Sequence, residues 1–295
     1  MKYGIEIARL IAVLLITFNH TKHNLIEGGT AYWIFEQLPL FGTPLLLLVC
    51  GYLFSAVSKR KNEPLFRKKI KSLLIPFLMA NLVVLLPVAF FYYVLDINYL
   101  NRLVFDYTII TDGIFALNNV PINPPTYFIR DIFIVFVAVE LILYKNWKML
   151  FILVPLLIFG RVIIRWDIPL IFAVGYLLDA YAHYLKKYWL YSVAVILIIL
   201  SVINDNLYLN NAVGLLLFLV SLEIKVKFIK TGAYTYLLHL YHSPVMVFSY
   251  PILSLFIENE VINVTCQIII SMVSIYLLYL LTRRFSKLQI LSGFR

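Results

Sequence analysis

Ile7-Ala-Arg9-Leu-Ile-Ala-Val-Leu-Leu-Ile-Thr-Phe-Asn-His20 is an apolar stretch that carries two ionisable side chains. An ionisable group at membrane depth is costly, so it usually faces the interior of a helix bundle or a watery cavity. If the stretch is helical to its end, Arg9 and His20 fall within about 20° of one face and about 16 Å apart along the axis. The sequence therefore predicts one groove that contains both side chains at two depths.

The composition of the 295-residue chain excludes an ordinary soluble domain. Hydrophobic residues make up 62% of it and charged residues 14%, and the mean hydropathy is +0.91. Long runs of this kind are typical of transmembrane helices. The net charge of +10 comes from Lys and Arg in short breaks between apolar runs. The charge therefore indicates membrane topology, and we expect no nucleic-acid partner.

The apolar runs predict an all-α, polytopic membrane protein with about ten transmembrane helices. We expect a single integral-membrane domain over residues 1–295, with no soluble domain. The fifth, seventh and eighth runs fall short of the ~20 residues that a spanning helix normally needs. The predicted spans are 4–22, 37–57, 72–95, 126–144, 148–164, 168–184, 189–203, 208–223, 232–256 and 262–282.

Basic residues are distributed unequally between the two sides of these spans. One side has 19 Lys and Arg, and the other has 4. Cytoplasmic loops carry such an excess, which places residues 59–71 and both termini in the cytoplasm. The four on the opposite side are Lys22, Arg102, Arg161 and Arg165.

Metal and disulfide chemistry are not expected. Cys50 and Cys266 both lie within apolar runs, where cysteine behaves as a small hydrophobic residue. Two cysteines without paired histidines at ligand spacing do not form a metal site.

The chemistry of Arg9 and His20 is open to a functional and a structural interpretation. Arg9 can hold an anion near the cytoplasm, and His20 can act as a base near the other side because its pKa lies in the working range. Alternatively, Arg9 is an interfacial arginine paired with Glu6 one turn earlier, and His20 is a satisfied polar residue at a helix end. Their predicted position on one face favours the functional interpretation.

Arg9-x10-His20 resembles the signature of the membrane acyltransferase-3 family, whose members are multi-span bacterial O-acyltransferases. Further stretches are similar to family motifs in the same order along nearly the whole chain, although Cys50 and Tyr127 replace the usual serine and tryptophan. These stretches are Pro44-Leu-Leu-Leu-Leu-Val-Cys-Gly51-Tyr-Leu53, Arg67-Lys-Lys-Ile-Lys71-Ser-Leu-Leu-Ile-Pro76, Pro125-Thr-Tyr127-Phe-Ile-Arg130 and Tyr236-Leu-Leu-His-Leu-Tyr-His242-Ser-Pro244-Val245.

The resemblance implies a multi-pass O-acyltransferase of the bacterial cytoplasmic membrane. It would take an acyl group, acetyl by family analogy, from acetyl-CoA or another cytoplasmic acyl-CoA. The acceptor would be a hydroxyl of an extracytoplasmic glycan or lipid-linked sugar. Expected partners are membrane lipid and glycan-synthesis machinery. His20 would be catalytic, either as a general base or as a nucleophile that carries the acyl group itself.

The resemblance also implies roles for residues outside the first span. Arg67, Lys68 and Lys71 would join Arg9 in binding coenzyme A phosphates, although a positive loop that meets anionic lipid is the simpler interpretation. Tyr127, Arg130 and His242 would contact the acceptor. Alternatively, Arg130 forms a local pair with Asp131, and His239 and His242 form structural hydrogen bonds beside Pro244, which frees a backbone carbonyl.

Two functions of other classes fit parts of the sequence. A flippase or exporter of a polysaccharide precursor needs a continuous polar path and usually discontinuous helices, and Pro39, Pro44, Pro76 and Pro87 are compatible with these. A purely structural subunit of a glycan-synthesis complex has no need to bury Arg9 and His20.

Overall fold

A computed structural model describes residues 3–61, 65–97, 104–181, 184, 186–204, 206 and 208–294, without the side chains of residues 58–61. Helix makes up 79% of the chain, and the described part contains no strand. The all-α prediction is therefore confirmed. Several basic residues used for the topology prediction lie outside the described residues or side chains, namely Lys2, Lys59, Arg60, Lys61, Arg102 and Arg295.

Every predicted span contains a helix, although the bounds differ. In chain order the α-helices are α1 (Tyr3–Phe18), α2 (Thr30–Tyr32), α3 (Gly42–Lys61), α4 (Phe66–Lys69), α5 (Ile75–Leu95), α6 (Tyr127–Tyr144), α7 (Leu150–Phe159), α8 (Asp167–Ala180), α9 (Lys187–Ile203), α10 (Leu209–Glu223), α11 (Gly232–Ser254) and α12 (Glu260–Arg284). Short π and 3-10 turns join α2 to α3 and α4 to α5, so these pairs run as continuous helices.

Three helices of the described chain are long and apolar enough to cross a membrane. They are Thr30–Val57, Phe66–Leu95 and Glu260–Arg284, and shorter apolar helices cover Trp147–Phe159, Lys187–Ile203 and Leu209–Glu223. The count of ten spans and the cytoplasmic termini stay predictions. The ten residues of α7 cover only about 15 Å, half the hydrocarbon thickness of a bilayer. The predicted fifth span, 148–164, is thus longer than the helix that it contains.

The chain divides into two compact units, which are described separately below. The first comprises Met1–Glu63, Asp167–Leu238 and Val245–Val273, and the second comprises Pro64–Trp166, His239–Pro244 and Ser274–Arg295. The prediction of a single integral-membrane domain over residues 1–295 stays a prediction.

In the first unit, α3 and α8 approach each other closely because each presents a glycine to the other's backbone. A Cβ at Gly51 would collide with the carbonyl oxygen of Phe172, and one at Gly175 would lie 2.9 Å from the Cα of Leu48. α1, the helix with Arg9, packs against α3 and α10.

In the second unit, α6 is buried on nearly all sides and organises its neighbours. Its Glu140 is 2% exposed, and its carboxylate accepts the backbone N–H groups of Leu65 and Phe66. A carboxylate at a helix N-terminus satisfies donors that have no partner within the helix. Glu140 therefore fixes the start of the Phe66–Leu95 helix, which carries the basic stretch.

Candidate active site

Arg9 lies on α1 in the first unit and is held by a buried carboxylate. Its Nη1 atom is 3.1 Å from Oε2 of Glu6, one turn earlier. The same Glu6 oxygen accepts the backbone N–H of Thr231 at 3.0 Å and its hydroxyl at 3.1 Å. A Cβ at Gly232 would lie 2.7 Å from Arg9 Nη1, so the start of α11 leaves just enough space for the guanidinium.

Of the guanidinium nitrogens of Arg9, these contacts use only Nη1. Nη1 makes both hydrogen bonds to Glu6, whereas Nε and Nη2 donate to no described residue. The side chain is 18% exposed, compared with 4% for Glu6. Because a guanidinium carries five donors in a planar fork, the remaining edge can bind an anion such as a phosphate. The pairing with Glu6 and the anion-binding role are therefore compatible.

His20 lies beyond the end of α1, in a turn. Its backbone N–H donates to the carbonyl of Thr17 at 3.3 Å, and that of Thr21 donates to Phe18 at 3.2 Å. The helix ends at Phe18, short of the predicted limit at residue 22. The turn, and not the helical repeat, therefore sets the direction of the half-buried His20 side chain.

Gln267 of α12 holds the segment that follows His20. Its Oε1 accepts the Lys22 N–H at 2.9 Å, and its Nε2 donates to the Lys22 carbonyl at 2.7 Å and to Oδ1 of Asn263 at 2.9 Å. Gln267 is fully buried. Sequence analysis missed this residue, and the signal that could have found it is a polar amide in the middle of an apolar span.

The basic stretch lies in the first turns of the Phe66–Leu95 helix in the second unit. Arg67, Lys68 and Lys71 are exposed and form no ion pair with a described residue. Lys69 differs, because its Nζ lies 3.9 Å from the centre of the Phe136 ring. The three exposed cations fit both interpretations of the sequence, a contact with anionic lipid and a contact with phosphates.

Arg130 and Asp131 form a buried pair that holds the segment 161–165. Arg130 donates to Asp131 at 2.7 Å, to the Val162 carbonyl at 2.8 Å and to the Arg161 carbonyl. Asp131 accepts the backbone N–H groups of Ile164 and Arg165 at 3.1 Å and 2.9 Å. The local structural interpretation of this pair therefore has direct geometric support.

Tyr127 lies at the start of α6, where its exposed neighbour is an arginine. Nη1 of Arg165 donates to the Tyr127 hydroxyl at 2.8 Å, and the guanidinium lies 5.7 Å from the centre of the Tyr127 ring. Sequence analysis noted Arg165 only as an outer charge. An aromatic ring beside hydrogen-bonding groups is a surface that a sugar can contact through both its apolar face and its hydroxyls.

His239 and His242 lie in the part of α11 that belongs to the second unit, and both are buried. The His239 ring is 5.1 Å from that of Phe128 and 6.3 Å from that of His242. Nδ2 of Asn123 donates to the Leu240 carbonyl at 2.7 Å. The helix cannot supply this bond, because the residue four positions later is Pro244, which has no N–H.

Asn123 is itself held by Asn81 of α5. Oδ1 of Asn81 accepts the Asn123 backbone N–H and the Thr126 hydroxyl, both at 3.2 Å. The other end of the Asn81 amide donates to the Phe77 carbonyl at 3.0 Å. All these polar side chains are at most 1% exposed. Sequence analysis predicted the carbonyl freed by Pro244 but missed the asparagines that use it.

Comparison with known proteins identifies the chain. A family model for an acyltransferase domain, that of the acyltransferase-3 family, matches residues 2–283. The chain belongs to the acyltransferase-3 family. No curated protein and no solved structure matches it. The family assignment predicted from Arg9-x10-His20 is therefore confirmed, and this acyltransferase-3 protein is a membrane acyltransferase.

Among the predicted site residues of this acyltransferase-3 protein, the structure places Arg9 and His20 in the first unit. It places Arg67, Lys68, Lys71, Tyr127, Arg130 and His242 in the second unit. In the first unit, an arginine with unused donors lies near the middle of α1, and a histidine lies in the anchored turn beyond the C-terminal end of the same helix. A guanidinium can bind an anion, and an imidazole can act as a base or a nucleophile.

Proposed function

We propose that the protein is an integral-membrane O-acyltransferase of the bacterial cytoplasmic membrane. In this proposal it moves an acyl group, with acetyl favoured by family resemblance, from cytoplasmic acyl-CoA to a hydroxyl of an extracytoplasmic glycan. The observation that carries the proposal is the arrangement of α1. Glu6 and Thr231 fix one edge of Arg9 and leave the other edge available, while Gln267 fixes the chain that follows His20.

The donor is bound through its phosphates in this mechanism. Arg9 contributes the unused edge of its guanidinium. Arg67, Lys68 and Lys71 are proposed as phosphate-binding residues on the family resemblance alone. The nine residues from Arg9 to Phe18 rise about 14 Å along the axis. A long pantetheine arm suits that separation, because it connects the phosphates of coenzyme A to the thioester.

The reaction at His20 has two balanced forms. As a general base, His20 takes the proton of the acceptor hydroxyl while its oxygen bonds to the acyl carbon, and the carbon–sulfur bond breaks to release the CoA thiolate. As a nucleophile, an imidazole nitrogen first bonds to the acyl carbon and displaces the thiolate. The hydroxyl oxygen then bonds to the acyl carbon, the carbon–nitrogen bond breaks, and the hydroxyl proton passes to the released imidazole. Tyr127, Arg130 and His242 are proposed for the acceptor, with Tyr127 as the direct contact and the buried Arg130 and His242 as supports.

The test is His20→Gln, with His23→Gln as the matched control three residues later. Loss of a general base typically lowers the rate about 10²–10⁴-fold. We expect His20→Gln to remain folded, to bind acyl-CoA and to leave the glycan unacylated, whereas His23→Gln retains acylation. NMR of the isolated glycan measures acylation per sugar, and the yield of surface polymer is measured from the same cells.

The same measurements distinguish the flippase alternative. In a flippase, His20→Gln lowers the amount of surface polymer and leaves acylation per sugar unchanged. In the proposed enzyme it does the reverse. Normal acylation in the His20→Gln variant would overturn the catalytic role of His20.

A second variant tests the binding of the acyl-CoA donor separately. Arg9→Ala removes a charge-assisted contact worth roughly 1.5–3 kcal/mol, so the Kd for acyl-CoA should rise about 10–150-fold. Titration of the purified protein with a non-hydrolysable acyl-CoA analogue measures this value. Arg284→Ala, at an exposed cation near the end of α12, is the control. An unchanged Kd in Arg9→Ala would contradict the assignment.

A further inference from the structure

A cavity of about 290 Å³ lies within the first unit, between α3, α8, α9 and α10. Its lining is mostly apolar, and the Ser201 hydroxyl donates to the Leu197 carbonyl at 2.7 Å. The apolar residues that line it include Leu48, Ile171, Val174, Leu197, Leu200 and Leu215. A cavity without available polar groups favours a saturated or polyprenyl chain over a polar ligand.

The other polar residues that line the cavity lie at one end of it. Asn204, Tyr208 and Asn211 belong to the turn that connects α9 to α10 and to the first residues of α10. Tyr208 has φ +63° and Asn206 has φ +62°, in the left-handed region that a bulky tyrosine rarely adopts. Strained residues of this kind cluster at ligand sites, so the backbone is a second indication that this end is functional.

The charge of this end restricts the polar group that fits there. The described residues of this end, 204, 206 and 208–211, include no Lys, Arg, Asp or Glu. Anionic phospholipid headgroups and pyrophosphate linkages are recognised by Lys and Arg. An uncharged, hydroxyl-bearing head group is therefore the better match for the amide and phenol groups of the mouth.

The contacts of α1 locate this mouth relative to His20. At one end of α10, Gly4 of α1 lies directly against the Ser221 carbonyl. Gly214 lies against Pro44 of α3, and Gly42, two residues before Pro44, lies against the Ala12 carbonyl. Residue 221 of α10 is therefore level with Gly4 of α1, and residue 214 is closer to the level of Ala12. The two helices run in opposite directions.

This register places the mouth at the His20 end of α1. The ten residues from Ser221 back to Asn211 cover about 15 Å, which corresponds to a level near residue 14 on α1. Tyr208 and Asn204 lie further in the same direction, where α1 ends and His20 follows. A head group at the mouth is therefore at the membrane level of the proposed catalytic histidine.

We propose that this cavity binds the hydrocarbon chain of a neutral glycolipid and presents its sugar hydroxyls at the level of His20. The acceptor in this proposal is a sugar anchored to the membrane by an uncharged lipid, and not a free polymer. The inference rests on the proposed acyltransferase function. The chain enters from the bilayer, since the outward face of α9 is apolar and exposed, for example at Ile196 and Ile199.

The experiment uses the full chain in nanodiscs and two photoreactive lipids with the same diazirine-bearing chain. One is a monoglucosyl diacylglycerol, and the other is phosphatidylglycerol. We expect the glucosyl lipid to label peptides that contain residues 197–215, and unlabelled glucosyl lipid, but not phosphatidylglycerol, to compete with it. If phosphatidylglycerol labels and competes equally well, the proposed preference for a neutral head group is wrong and the cavity binds an ordinary bilayer lipid.

Cavity-filling variants test the position of the chain. Ala212→Phe and Leu200→Trp place side-chain atoms in the cavity and should lower specific labelling about tenfold or more, the loss expected when a buried chain loses its space. Ile196→Trp, on the outward face of α9, is the control and should leave labelling unchanged. Asn211→Leu should reduce the preference for the glucosyl head group without filling the cavity. Equal labelling in all four variants would refute the site.

Two additional measurements keep this inference separate from the proposed function. Thermal unfolding of each variant in nanodiscs establishes that it is folded, and Asn211→Leu provides a test that does not depend on a large added side chain. Binding of an acyl-CoA analogue reports on the donor half alone and should be unchanged in Ala212→Phe. If donor binding fails in the natural sequence but glycolipid labelling is specific, the acyltransferase mechanism fails while the lipid site stands.

Discussion

The hydrogen bond from Asn123 to the Leu240 carbonyl allows a quantitative test of how the second unit is held together. Leu240 is in α11, and Pro244 deprives its carbonyl of the normal helical donor. Asn123→Ala should leave that carbonyl buried without a donor. The amide is 1% exposed and its bond is 2.7 Å long, so water does not replace it. The cost of an unsatisfied buried group is about 1–3 kcal/mol.

A double-mutant cycle with Pro244→Ala isolates this interaction. Alanine at position 244 restores a backbone N–H that can donate to Leu240 within the helix. In that background Asn123→Ala should cost at least about 1 kcal/mol less, because the carbonyl has an alternative donor. The coupling free energy is the difference between the two costs of Asn123→Ala.

Reversible unfolding in mixed micelles, followed by intrinsic fluorescence, gives the four free energies of unfolding. Thr108→Ala, at an exposed hydroxyl whose partner is Asp106, is the matched polar control and should show no coupling to Pro244→Ala. The free-energy costs of Asn123→Ala and Pro244→Ala would add within about 0.3–0.5 kcal/mol if the two sites were independent. That result would show that Asn123 and Pro244 are not coupled through the Leu240 carbonyl.

Further predictions concern other contacts and the topology. Gln267→Leu should release the turn after α1 and lower acyl transfer while the Kd for an acyl-CoA analogue stays constant; equal losses in both would contradict a positioning role. Glu140→Ala should lower the free energy of unfolding by roughly 1.5–3 kcal/mol, because it removes a buried charged acceptor from two backbone donors. Glu223→Ala, whose partner Lys187 is exposed, should leave the free energy of unfolding nearly unchanged in the same assay. After replacement of the native cysteines, Lys68→Cys should react with an impermeant maleimide only in permeabilised cells and Tyr107→Cys in intact cells; the opposite pattern would overturn the topology.

The family and the helical class could be predicted from the sequence, because both depend on local patterns or on the order of motifs along the chain. The spacing of Arg9 and His20 and the order of the later motifs lie in the linear chain, and long apolar runs require helices in a membrane because every backbone group must be satisfied internally. The pairing of Arg9 with Glu6 was accessible for the same reason. The two residues are one helical turn apart, so the backbone alone brings them together.

The tertiary structure decided the contacts that join distant parts of the chain. The sequence predicts a span to residue 22, but α1 ends at Phe18, and the segment that follows is held by Gln267, 245 residues from Lys22. Pro244 predicts that the Leu240 carbonyl lacks its helical donor. Only the fold brings Asn123, 117 residues from Leu240, close enough to donate to it. Local chemistry creates an unsatisfied group or a possible helix end. The partner that satisfies it is determined by packing, since a buried polar group must bond to whichever side chain the fold brings within reach.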